Sequence, residues 1–135
     1  MVNAAESIRE GQNARAKGDR NVARARYAKA AEIYRREANH LAYAHTIRHI
    51  ADMYLDESEF ELARPLYEEA LEIYRSSLDS RILDLANTIR PYAILNEGIG
   101  KREIAQTLWE EARILYNSIR IAEGVVECDA HLLNL

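Results

Sequence analysis

The sequence predicts an all-α chain of seven helices, arranged as a stacked α-solenoid of three helix pairs and a terminal helix in a single domain. Three observations carry this. One pattern is written three times: Ala23-x3-Tyr27-x2-Ala30-x3-Tyr34 returns as Ala63-x3-Tyr67-x2-Ala70-x3-Tyr74 and as Ala105-x3-Trp109-x2-Ala112-x3-Tyr116, at offsets of 40 and then 42 residues. The same offsets relate Gly11, Ala51 and Ala93, and Gly18, Ser58 and Gly100, so the register extends over whole helix pairs. Finally, five glycines and two prolines leave little room for sheet turns or linkers, while Ala, Glu, Arg, Leu and Ile are the residues of helical arrays.

The elements follow in order from apolar spacing and from breaks. Small or apolar residues step by three and four through Ala23, Tyr27, Ala30 and Tyr34, through Ala44, Ile47, Ala51 and Tyr54, and through Leu108, Ala112, Leu115 and Ile119. Breaks fall at Gly18-Asp19, Asn39, 56–58, 76–80 and 97–100, where glycine ends a helix and Ser, Asp or Asn caps the next. These place helices at 4–17, 19–37, 40–56, 59–77, 80–97, 101–117 and 121–134, paired as repeats 4–37, 40–77 and 80–117. The two extra residues of the second interval fall around Ser76 to Ser80 and lengthen a connection. The terminal helix 121–134 carries the stripe Ala122, Val126, Ala130 and Leu133, read as the face that caps the array. The alternative is the first half of a fourth repeat, with its far face apolar and Leu132 and Leu135 exposed.

Packing explains the recurring residue types. Gly or Ala at 11, 51 and 93, facing Ala at 23, 63 and 105, lets two helix axes approach closely. The rings of Tyr27, Tyr34, Tyr67, Tyr74, Trp109 and Tyr116 then fill the core. An aromatic cage for a cation would need these rings exposed together, which their fixed place in the repeat disfavours.

The order small residue, Gly-Asp, Ala-x3-Tyr-x2-Ala resembles the tetratricopeptide repeat. The segment 61–74, ELARPLYEEALEIY, is similar to the longer variant of about 42 residues in kinesin light chains, Pro65 included. The resemblance covers three pairs and implies a right-handed solenoid with a concave groove, lined by the first helix of each pair, that binds a peptide or folded protein. Carried residue by residue, it lines the groove with Ile8, Gln12 and Arg15, then His45, Arg48, Asp52 and Asp56, then Asn87, Arg90, Ile94 and Glu97. Arg48 and Arg90 are in register and offer forked donors to an acidic ligand, unless they pair with Asp52, Asp56 or Glu97 and solvate the groove. Chaperone-binding members hold a terminal carboxylate with Lys, Asn, Asn, Lys and Arg; the matching places here are Ile8, Gln12, His49, Asn87 and Pro91, none of which agrees. Pro91 inside the fifth helix frees the carbonyl of Asn87 and predicts a kink that turns the Asn87 amide into the groove.

Chemistry is weakly indicated. His45, His49 and Asp52 share one helix face at a spacing that suits metal ligands, but no His-Glu-x-x-His motif accompanies them, and they read as groove residues with no metal. No phosphate loop or nucleophile–base set is present, so no cofactor and no catalytic residue is assigned. The lone Cys128 excludes an internal disulfide and reads as core. With no apolar run at the start of the sequence, no secretory signal is expected, and with no apolar stretch long enough to span a bilayer the chain reads as cytoplasmic with no membrane partner. Residues 1–38 hold nine basic and five acidic side chains; 39–135 hold nine and seventeen. The basic excess on the second helix, at Arg20, Arg24, Arg26, Lys29, Arg35 and Arg36, reads as a solvated face or a docking surface for an acidic partner or a second copy. Overall acidity weighs against nucleic acid. The chain is therefore read as a non-enzymatic module for a protein or peptide, the alternative being a self-associating scaffold, a homo-oligomer through array ends or groove.

Overall fold

The computed structural model describes residues 3–135. Its described residues form seven α-helices and no strand: α1 Ala4–Ala16, α2 Arg20–Arg36, α3 His40–Asp56, α4 Phe60–Ser76, α5 Ile82–Gly98, α6 Arg102–Ser118 and α7 Ala122–Leu133. All seven lie within two residues of the helices predicted from spacing. Asn3, Asp19 and Asn39 cap α1, α2 and α3 by accepting from the backbone N–H of Glu6, Val22 and Ala42.

Five of the connections are one turn repeated. A residue in the left-handed region (Gly18, Ala38, Ser58, Gly100 or Arg120) ends each helix. The next N–H then reaches back five residues: Asp19 to Ala14, Asn39 to Tyr34, Glu59 to Tyr54, Lys101 to Asn96 and Ile121 to Tyr116, at 2.8–3.0 Å. This closure satisfies the orphan carbonyls of the last turn and stops the helix at once. The connection between α4 and α5 is different. Ser80 donates its hydroxyl to the carbonyls of Tyr74 and Ser77, which holds residue 80 outside the helix and delays α5 to Ile82, two residues beyond its predicted start.

The chain divides into two compact units, one ending at Ile73 and the other running from Tyr74 to Leu135. In the first, α2 packs on α1 and α3. Its core holds Ala14, Ala23, Tyr27, Ile50 and Met53, with Ile8, Tyr54 and Leu66 against them. Gly11 marks the closest approach, since a Cβ there would lie 3.2 Å from the Tyr27 ring and 3.4 Å from the Ala23 carbonyl. In the second unit α6 packs on α5 and α7, burying Ala86, Ile89, Ala93, Ala105, Trp109, Ala112, Tyr116 and Cys128.

Two packing expectations are corrected. Of the six repeat aromatics five are buried, but Tyr34 is only half-buried near the end of α2. The apolar stripe of α7 does not face its neighbour: Ala122 and Ala130 are exposed, Val126 is 67% and Leu133 85% exposed, while Leu132 and Leu135 are half-buried. The packed face is centred instead on Gly124 and Cys128. The reason is steric, because a Cβ at 124 would lie 2.4 Å from Cγ of Tyr116, so the backbone of α7 lies directly on that ring. Only the face carrying glycine permits this.

Candidate partner-binding faces

In the first unit α1 and α3 carry the predicted residues. Gln12 and His45 are exposed, Arg15 half-buried, and Arg15 reaches Asp56 at 3.7 Å across a cleft of about 240 Å³ lined also by Gly18, Arg20 and Met53. Arg48 donates to Asp52 at 3.0 Å, their side chains 17% and 20% exposed. Asp52 also accepts from the Tyr67 hydroxyl at 2.6 Å, so a ring counted as core by its spacing brings its polar tip to this face. Burial raises the Asp52 carboxyl above its ordinary range, against the opposing pull of Tyr67 and Arg48.

His49 lies behind this face. Its ring stacks on Tyr27 at 5.9 Å and meets His45 edge-on at 4.6 Å, while its Nδ1 is buried without a hydrogen-bond partner. Burial, with Arg48, His45 and Arg15 nearby, pushes its pKa down to about 3. With His49 turned to Tyr27 and Asp52 to Arg48 and Tyr67, the histidine pair and the carboxylate do not converge. No set of three or more potential ligand side chains among the described residues is grouped to hold a metal.

In the second unit α5 supplies Asn87, Arg90, Ile94 and Glu97, all half-buried. Arg90 grips Glu127 of α7 through two bonds of 2.5 and 2.8 Å, which hold the Glu127 carboxyl below its usual range. Glu97 accepts from Nε1 of Trp109 at 2.5 Å and lies 2.7 Å from Nδ1 of His131, whose ring stacks on the indole at 4.0 Å. Asn87 accepts from the Tyr116 hydroxyl at 2.7 Å. Its side-chain oxygen is thus tied to α6.

The family resemblance, not spacing, named these residues, and it did not foresee their ties to one another. Glu127 and His131, which lie off the apolar stripe of α7, are residues that meet α5 and α6. Their signal was Gly124, the one residue of α7 that admits a ring against its backbone. The pairing predicted for Arg48 is present; Arg90 pairs with Glu127, outside the set considered.

The arginines of α2 are also engaged. Arg20 and Arg24 meet Glu57, Arg24 lies 4.8 Å over the Tyr54 ring, Arg26 meets Glu10, and Arg35 and Arg36 meet Glu32. Cys128 is fully buried and its thiol is pushed up to about 11 by burial, which makes it a poor nucleophile at neutral pH. No helix among the described residues is long and apolar enough to cross a membrane.

Among curated proteins no match is found. A family model described as tetratricopeptide repeat matches residues 3–76, a span that takes in α1 to α4. This agrees with the repeated helix pairs, the small residues at their crossings and the buried rings. The chain belongs to the tetratricopeptide repeat family.

Proposed function

We propose that this chain is a non-enzymatic interaction module that holds a peptide or protein partner on the polar faces of its first helices, with acidic partners preferred. Tetratricopeptide repeats mediate protein–protein interaction. The observation that carries the finer reading is the pairing on those faces: Arg15 with Asp56 and Arg90 with Glu127 are ion pairs with both side chains part-exposed. Exposed pairs of the Arg15–Asp56 kind contribute about 0–1 kcal/mol to stability, so a partner's carboxylate can replace Asp56 at little cost. Arg48, held by Asp52 and less exposed, adds positive potential behind the face. Gln12 and His45 add to the face of the first unit and Asn87 and Ile94 to that of the second, with Asp52 and Asp56 on the one and Glu97 on the other selecting against other charges.

Five of the six α2 cations pair with Glu10, Glu32 and Glu57 of the same unit, which supports a solvated face over a nucleic-acid surface. A single buried cysteine suits a reducing, cytoplasmic setting. Self-association is a second, compatible reading, favoured by the exposed apolar stripe of α7.

The test compares affinity capture from the native lysate by the wild-type chain and by Arg48→Glu/Arg90→Glu, with cooperative unfolding of both checked first. A protein held by the first and weakened at least about tenfold by the second, the loss of roughly one charge-assisted contact, supports the reading. Equal capture by both overturns it.

A further inference from the structure

The exposed stripe of α7 has a defined place in the repeat. The turn that precedes α3, left-handed Ala38 then capping Asn39, recurs before α7 as Arg120 then Ile121. On that register Val126 corresponds to Ala44 and Ala86, and Leu133 to Ala51 and Ala93; all four alanines are fully buried. On α1 the same position is Gly11, where a Cβ would meet Tyr27 and Ala23 of α2. It is therefore the position at which a first helix meets the second helix of its own pair. On α7 it carries larger apolar side chains, 67% and 85% exposed, and no following helix among the described residues.

We propose that a second copy of this chain covers the stripe, α7 lying antiparallel to α7 of the second copy about a two-fold axis. The inference rests on the self-association reading and names its surface. The stripe is self-complementary: antiparallel pairing sets Leu133 opposite Ala122 of the second copy and Val126 opposite Ala130, a large side chain against a small one at each level. On the border that carries Asp129 the rim is neutral. Asp129 borders the stripe and is held by Arg113 of α6 at 2.5 Å, both nearly half-exposed, so the two-fold adds a second neutral pair with no net repulsion. The exposed side of α1 is a poor alternative, since its Arg9, Gln12 and Asn13 would be covered by apolar groups. A twelve-residue helix is about 18 Å long, so the contact falls short of the roughly 800 Å² per partner of a standard interface and the dimer is weak, of order 100 μM.

Sedimentation velocity from 10 μM to 1 mM, order-of-magnitude bounds on that constant, should show the wild type shifting toward twice the monomer mass. Val126→Glu/Leu133→Glu should stay monomeric with an unchanged unfolding midpoint, because both side chains are exposed. Mixing Val126→Cys with Ala130→Cys copies under oxidation should give a mixed disulfide dimer in excess of either alone. A wild type that stays monomeric throughout overturns both this proposal and self-association. Association that survives the double substitution, or that gives no mixed cross-link, overturns the α7 contact and leaves self-association through another surface.

Discussion

His49 is the least comfortable side chain in the first unit, with a ring nitrogen buried and unpartnered beside Arg48 and His45. Its folded pKa lies below its unfolded value, so the unfolded chain binds a proton that the folded chain refuses. Stability is then fully present above pH 6.5 and is lost as pH falls toward 3. The expected slope is about 1.4 kcal/mol per pH unit. Asp52, raised by burial, works in the opposite direction, so the wild type is best compared with a variant that lacks only the His49 imidazole over pH 5 to 6.5. Urea midpoints across that window should fall for the wild type and stay flat for His49→Gln. At the other end of the chain Gly124→Ala drives a methyl into the Tyr116 ring and should cost about 1–3 kcal/mol, seen as a lower unfolding midpoint. Neither effect was legible in the sequence, where His49 read as a groove residue and Gly124 as unremarked. Both depend on which ring lies against which backbone, and periodicity alone does not fix that.

At the scale of elements much more could be read in advance. Helix bounds follow from the three-and-four spacing, and the offsets that relate Gly18, Ser58 and Gly100 mark turns that all adopt the left-handed conformation. Two turns of the same kind, at Ala38 and Arg120, carry no glycine and gave no such signal. A non-glycine residue held there costs about 1–2 kcal/mol. Ala38→Gly should therefore raise stability by up to about 1 kcal/mol, the strain relief being offset partly by the greater freedom of the unfolded chain, and thermal unfolding will show the sign. The α7 stripe failed for a physical reason of another kind. Spacing identifies an apolar face but not what it faces, and in α7 the small residues took the packed side.

For the molecule as a whole, the proposed function rests on faces where charge is paired locally yet partly open to solvent. Arg90 and Arg15 hold carboxylates of the same unit at sites that a partner can reach. Those residues were legible only through the family resemblance, since composition and spacing distinguish no one polar face from another. Raised salt should weaken partner binding by screening these exposed charges while leaving the buried cores unchanged. The most direct measurement is a titration of the isotope-labelled 15.5 kDa chain with an acidic peptide from the captured partner, followed by backbone amide shifts. The account predicts saturable shifts at Gln12, Arg15, His45, Arg48, Asn87, Arg90 and Glu97, abolished by Arg48→Glu/Arg90→Glu. Shifts confined to α2, α6 or the exposed stripe of α7 would contradict it.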